Sequence, residues 1–237
     1  MKCKADRVYK GISLALPRVF RGISDLAIET TQQRLRAARL YAITPDQSAD
    51  RTLRLVEAWL RGGADVVQLR NKVLARSALL PLAIRVAELC RERGAVFIVN
   101  DHVDVALAAG ADGVHLGPDD LSVEAARRLA SPPFVVGASA GSPEAARAAE
   151  LSGADYLGSG PAYATPIKAE KRVIGPEGVA RVQASVSIPV FAIGGIDGER
   201  IPELRAAGVQ RVCVIRALAL APDPEQEVRR LRGAIAG

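Results

Sequence analysis

The sequence predicts an α/β fold in which eight parallel strands close into a (β/α)8 barrel, and three observations predict it. From Arg39 onward, short β-branched runs alternate with longer stretches of helical period. Eight strand candidates spread over about 200 residues suit a sheet closed on itself, the TIM-barrel count, whereas open doubly wound sheets use fewer. A Gly-Ala-Asp frame recurs at Gly63, Gly110 and Gly153, with a looser copy at Gly208, each time just before a strand. The copies precede strands two, four, six and eight, so the chain reads as four two-strand units in series. The first strand ends Ala42-Ile43-Thr44-Pro45, without the GxGxxG fingerprint that often follows the first strand of an open dinucleotide-binding sheet.

Taken in order, residues 1–36 are an N-terminal extension and residues 37–237 the barrel domain. Pro17 interrupts the apolar run from Ile12 to Phe20, and the stretch from Asp25 to Arg36 predicts a helix leading into the domain. The extension lacks a continuous apolar core and a small-residue cleavage site, which argues against a secretory signal. It reads as a loosely attached leader whose deletion leaves activity unchanged. The strands follow at Leu40–Thr44, Val66–Arg70, Val96–Asn100, Gly113–Leu116, Phe134–Ser139, Tyr156–Ser159, Val190–Gly194 and Val212–Arg216. Helical patterns separate them at Arg51–Arg61, Arg76–Arg93, Val103–Ala109, Ser122–Leu129, Pro143–Leu151, Pro176–Gln183 and Gly198–Ala207. Each glycine of the repeat is placed to end a helix in the left-handed conformation, where a side chain would be penalised.

Charge and composition narrow the function. The net charge is +6, but residues 1–36 hold eight Lys/Arg against three Asp/Glu, leaving the body close to neutral. A near-neutral body with 4% aromatic residues does not form the basic, base-stacking face of a nucleic-acid binder. No apolar run approaches a membrane span. Cys3, Cys90 and Cys213 are too few and too widely spaced for a disulfide framework or a zinc site, which points to a reducing, cytoplasmic setting.

In such a barrel the chemistry sits at the C-terminal strand ends. Strand two ends in Gln68, Arg70 and Lys72, strand three in Asn100 and Asp101, and strand four runs on to Asp119 and Asp120. Strand five ends at Ser139, and strand six opens into a loop with Thr165 and Lys168. Strand seven ends at Gly194-Gly195, and strand eight at Ile215-Arg216. Arg70, Lys72, Lys168 and Arg216 are cations suited to a di- or polyphosphate. Asp101 and Asp120 would repel that ligand unless Mg2+ joined them to it. The Gly194-Gly195 turn offers a second phosphate site. Two anion sites predict two small phosphorylated substrates.

Each residue also has a plainer reading. Asp101 and Asp120 could cap the helices that follow them, and Asp119 could replace Asp120 as the ligand. His115 reads as packed in its strand, His102 as a solvent-facing helix start, Trp59 as core or interface, and Cys90 and Cys213 as small buried hydrophobes.

The motifs QLRNK at 68–72, VNDHVDVALAAGADGVHLG at 99–117 with Asp120, GPAYATPIK at 160–168 and AIGGI at 192–196 resemble those of the thiamine-phosphate synthase family. The resemblance runs from Arg39 to Ile235. It implies a transferase of thiamine biosynthesis that joins an aminopyrimidine methyl diphosphate to a phosphorylated hydroxyethylthiazole and releases pyrophosphate. It further implies that Gln68, Arg70, Lys72, Asn100, Ser139 and Lys168 hold the pyrimidine diphosphate, with Arg70, Lys72 and Lys168 assisting its departure. Asp101 and Asp120 would bind Mg2+, and Thr165, Ile167, Gly195, Ile215 and Arg216 would meet the thiazole phosphate. A homo-oligomer is compatible with the resemblance.

The chain departs from the family pattern chiefly on the thiazole side. Ile167 stands where a second threonine is usual, Ala164 in place of a proline, Arg216 in place of a serine and Gly141 in place of a histidine. A thiazole tautomerase-like paralogue is the alternative enzyme, although it would want that histidine and would not need the paired aspartates. A non-catalytic sensor of thiazole phosphate is the alternative from another class.

Overall fold

The computed structural model describes residues 31–166 and 172–236. The expected site residues Ile167 and Lys168 lie outside the described residues, as do Cys3 and residues 1–30 of the extension. Eight strands, β1 (Leu40–Ile43), β2 (Val66–Leu69), β3 (Val96–Asn100), β4 (Gly113–Leu116), β5 (Val135–Ser139), β6 (Tyr156–Ser159), β7 (Val190–Ile193) and β8 (Val212–Val214), pair in sequence order and close into a barrel. All pairs are parallel, and Leu40 opposite Val212 makes the closure between β1 and β8. Helices α1 (31–37), α2 (Ala49–Gly62), α3 (Arg76–Arg93), α4 (Val103–Ala108), α5 (Val123–Leu129), α6 (Pro143–Leu151), α7 (Gly175–Ala184), α8 (Ile201–Ala206), α9 (Arg216–Ala219) and α10 (Pro224–Ala236) surround it. The expected (β/α)8 barrel is present.

The repeat does structural work at each copy. Gly63, Gly110, Gly153 and Gly208 all have positive φ, from 65° to 95°, the left-handed turn expected there. The aspartate two residues on ties the base of the sheet together. Asp65 accepts the Leu40 N–H at 2.9 Å, Asp112 the Phe97 N–H at 2.8 Å, and Asp155 the Val136 N–H at 2.7 Å. Each odd-numbered strand among β1, β3 and β5 is therefore anchored at its start by the acid that precedes the next strand.

Strand alternation sorts the core into two parts. Outward residues such as Leu40, Val67, Phe97 and Leu157 pack beneath the helices, together with the fully buried Trp59. Inward residues, among them Tyr41, Val66, Ile98, Tyr156 and Phe191, fill the barrel. The Tyr41 and Phe191 rings meet edge-on at 5.3 Å between centroids, a favoured aromatic geometry. Cys90 and Cys213 are buried as well.

Elements at both ends of the domain differ from expectation. Strand β8 stops at Val214, and Arg216 opens the short helix α9 instead of ending a strand. The last helix, α10, packs along α2 and carries the exposed-face ion pair of Glu225 with Arg61, 2.7 Å apart. At the other end of the chain, α1 is not loosely attached. Leu35 is 1% exposed and belongs to the barrel-interior cluster. Arg34 donates to the Gly94 carbonyl at 3.2 Å and approaches Asp112 at 3.4 Å, while Arg211 donates to the Arg36 carbonyl at 2.8 Å. Helix α1 closes the base of the barrel, so the boundary expected between residues 36 and 37 falls inside a helix that packs as part of it.

Candidate active site at the C-terminal mouth of the barrel

The C-terminal ends of the strands open into a single large cavity of about 1670 Å3. Gln68, Arg70, Lys72, Asn100, Asp101, Asp120, Ser139, Thr165, Gly195, Ile215 and Arg216 all line it. Every site residue expected from the sequence that falls within the described residues is therefore at the same mouth.

On the β2–β4 side, two carboxylates meet two cations. Asp101 sits just beyond β3 with φ 64°, a left-handed conformation that a non-glycine residue adopts at some cost. Its N–H donates to the His115 carbonyl at 2.9 Å, so a cross-strand bond holds the turn. Neither aspartate caps a helix. The residue flanking α4 is His102, which makes no side-chain cap, and α5 is capped by the Ser122 hydroxyl, which accepts the Ala125 N–H. Asp101 instead lies 3.1 Å from Lys72 Nζ, and Asp120 accepts the Gly117 N–H at 2.7 Å. Burial and the neighbouring Asp101 push the Asp120 carboxyl above its ordinary range. Two adjacent carboxylates beside an anion-binding rim are a donor set that fits Mg2+, which keeps several waters and takes its remaining ligands from substrate phosphates. Among the described residues no group of three or more His, Cys, Asp or Glu side chains could hold a metal ion.

The cations of β2 are held by the loop after β1. Asp46 accepts the Lys72 N–H at 2.7 Å and lies 2.9 Å from Arg70 Nη1. Thr44 Oγ1 accepts the Arg70 N–H and donates to its carbonyl, both at 2.9 Å. Burial alone would raise the Asp46 pKa, but the Lys72 N–H and the Arg70 guanidinium outweigh it and leave it below the usual value. Asp46 escaped sequence reasoning. Its signal was available as an acid one turn past a strand end whose neighbour carries two cations.

On the β6–β8 side, Gly194 and Gly195 have φ 102° and 65°. A Cβ on Gly194 would stand 2.6 Å from that of Pro161, so only glycine lets this turn pass beneath the β6 loop. The loop is docked there by the Ala162 and Tyr163 N–H groups, which donate to the Ile193 and Gly194 carbonyls at 2.8 and 3.0 Å. Arg200 lies over the Tyr163 ring at 4.8 Å and donates to the Gly195 carbonyl. The Tyr163 hydroxyl donates to Glu203 at 2.8 Å. Arg172, Arg181 and Arg216 add further positive charge to this half of the cavity.

The floor of the cavity was also missed. His115, given no role from the sequence, faces the interior and lies 3.1 Å through Nε2 from Ser139 Oγ. Tyr41 and Tyr156 lie beneath it. Their inward parity was readable, because Tyr41 precedes Ile43 and Tyr156 precedes Gly158 at spacing two.

Comparison with known proteins agrees with the barrel fold. The profile of the family described as thiamine monophosphate synthase matches residues 40–218. A thiamine-phosphate synthase of Gloeobacter violaceus is 46% identical over 191 residues, covering 81% of this chain and 55% of the relative. One from Moorella thermoacetica is 46% identical over 182 residues, covering 76% of this chain and 87% of the relative. The chain thus spans little more than half the length of some relatives it matches. Among solved structures, the thiamine phosphate pyrophosphorylase from Pyrococcus furiosus superposes with a TM-score of 0.79 at 39% identity, covering 86% of this chain and 97% of that one.

Proposed function

Because the chain belongs to the thiamine monophosphate synthase family, we propose that it is a thiamine-phosphate synthase. It would condense 4-amino-2-methyl-5-(diphosphooxymethyl)pyrimidine with phosphorylated 4-methyl-5-(2-hydroxyethyl)thiazole, giving thiamine phosphate and pyrophosphate. The observation that carries this reading is the meeting of Asp101, Asp120, Arg70 and Lys72 at one mouth, with Lys72 Nζ 3.1 Å from Asp101.

The bond from the pyrimidinylmethyl carbon to the diphosphate oxygen breaks first, and its electron pair leaves with pyrophosphate. The aminopyrimidine ring supports the methylene cation, which the thiazole nitrogen then captures. Charge develops on the leaving group, and Arg70, Lys72 and Lys168 stabilise it. Asp101 and Asp120 would hold Mg2+, which would supply charge neutralisation to the same diphosphate. Gln68, Asn100 and Ser139 hold the pyrimidine half. Thr165, Gly195, Ile215 and Arg216, with Ile167, meet the thiazole phosphate, and the Tyr163–Arg200 contact keeps the Gly194-Gly195 turn in place for it. This chemistry calls for no protein nucleophile.

Paired aspartates and Gly141 favour the synthase over a tautomerase-like paralogue, which has no use for a metal-diphosphate site and would want a histidine at 141. Among the described residues no helix is long and apolar enough to cross a membrane, and buried free cysteines suit a reducing, cytoplasmic setting. The test mixes both substrates with Mg2+ and follows thiamine phosphate and pyrophosphate in equal amounts. Tight binding of the thiazole phosphate with no product would assign the chain to the sensor class instead.

A further inference from the structure

The barrel interior carries one continuous chain of polar side chains, of which the proposed function uses only the two ends, Gln68 and Ser139. Gln68 Nε2 donates to Tyr41 Oη at 2.7 Å. Tyr41 Oη lies 2.9 Å from Tyr156 Oη, Tyr156 Oη 3.2 Å from His115 Nδ1, and His115 Nε2 3.1 Å from Ser139 Oγ. Five side chains from five strands connect Gln68 on β2 to Ser139 on β5, and Tyr156 is the link in the middle.

Space for that link is built into the backbone. A Cβ on Gly137 would fall 2.1 Å from Tyr156 Cζ, and one on Gly158 would lie 3.3 Å from His115 Cε1. Two inward positions are thus bare where a side chain would displace the phenol or crowd the imidazole. A buried hydroxyl left unpaired costs free energy, so a phenol placed here is expected to join a satisfied network. Burial pushes both the Tyr41 and the Tyr156 hydroxyls well above their ordinary pKa, and both keep their hydrogens throughout the physiological range.

The chain has a direction. Tyr41 Oη accepts from Gln68, so its own hydrogen is available to Tyr156. Tyr156 then directs its hydrogen to His115 Nδ1. A neutral imidazole that accepts at Nδ1 carries its proton on Nε2, and Nε2–H donates to Ser139 Oγ. The Ser139 hydroxyl hydrogen is left to point into the cavity. With the opposite direction, Ser139 would give its hydrogen to His115 and turn a lone pair towards an anionic ligand.

We propose that Tyr156 is a positioning residue: by donating to His115 Nδ1 it fixes the Nε2–H tautomer and presents Ser139 as a hydrogen-bond donor to the pyrimidine diphosphate substrate. This assignment rests on the reading of Ser139 as a contact to that substrate. Tyr156 itself is fully buried and acts only through its neighbours.

The chain has two histidines, so nitrogen-15 spectra of the full-length protein are simple, and His102→Gln assigns them. The wild type is expected to show His115 predominantly as the Nε2–H tautomer. Tyr156→Phe keeps the ring and removes only the hydroxyl. It is expected to shift both His115 nitrogen resonances towards a tautomer mixture and to raise KM for the pyrimidine diphosphate about tenfold, the scale of one hydrogen bond, with KM for the thiazole phosphate unchanged. A wild-type Nδ1–H tautomer overturns the proposal without any variant having to fold. So does a Tyr156→Phe protein with unchanged His115 resonances, or one with unchanged KM for the pyrimidine diphosphate. A wild type that makes no thiamine phosphate refutes the synthase reading, and the tautomer of His115 still tests the network independently.

Discussion

Asp101 and Asp120 are the residues on which the proposed metal chemistry turns. Burial and the neighbouring Asp101 raise the Asp120 carboxyl, and replacing both acids removes no buried ion pair apart from the Lys72 contact, in which Lys72 is largely exposed. Asp101→Asn with Asp120→Asn should therefore abolish Mg2+-dependent turnover and leave the unfolding midpoint near that of the wild type. A double variant with a near-normal rate would remove the metal assignment. Lys168→Ala should lower kcat on the order of 100-fold or more if it stabilises the leaving group, measured in the same coupled assay. Asp46 tests the support beneath the cations. Its pKa is depressed in the folded state, so its contribution is complete above the unfolded value of about 3.8 and is lost as pH falls through the lower folded value. Asp46→Asn should lower stability at neutral pH, where the charged Asp46 contributes, and flatten the acid limb of the profile below about pH 4, where wild type and variant converge. An acid limb identical to that of the wild type would show that the Asp46–Arg70 pair contributes nothing.

At the scale of elements, the β7 turn and the β6 loop are one unit. Gly194 has φ 102° and no room for a Cβ beside Pro161, so Gly194→Ala meets both backbone strain and a clash. The expected loss is about 1–3 kcal/mol of stability, with KM for the thiazole phosphate raised and KM for the pyrimidine diphosphate unchanged. Equal increases in both would show that the turn serves the whole mouth. The repeat glycines were legible beforehand because each combines a local signal, the end of a helix, with a local need, a left-handed turn. Strand ends were legible for the same reason, and they placed Gln68, Asn100 and Ser139 at the mouth. Arg216 was misplaced into a strand because the length of β8 is decided by closure against β1, a pairing between residues 172 apart in the chain at Leu40 and Val212. Tyr41 and Tyr156 meet across 115 residues. Their contact depends on the stagger of the closed barrel, which no local pattern reports.

For the whole molecule, the open question is how the barrel is sealed at the end away from its chemistry. An eight-stranded interior is just wide enough for side chains to fill, and Tyr41, Tyr156 and Phe191 fill its middle. The base needs its own plug, and Leu35 supplies it from α1 at 1% exposure. Charge made residues 1–36 look separate from the barrel, because a basic leader preceded a neutral body. Yet two of those basic residues, Arg34 and Arg36, are tied to the barrel base, through Asp112 and the Gly94 carbonyl and through Arg211. Burial of a single leucine inside a run of arginines leaves little periodic signal. Leu35→Ala should cost about 2–5 kcal/mol, the range for a leucine removed from a packed core. A chain beginning at residue 37 should lose at least as much, whereas one beginning at residue 31 keeps every described contact of α1 and serves as the control. Because the base lies at the opposite end of the strands from Asp101 and Lys72, kcat measured well below the unfolding midpoint should be the same for all three. Thermal unfolding followed beside that assay separates the two effects. Equal midpoints for the chains beginning at 31 and 37 would return α1 to the status of a detachable leader.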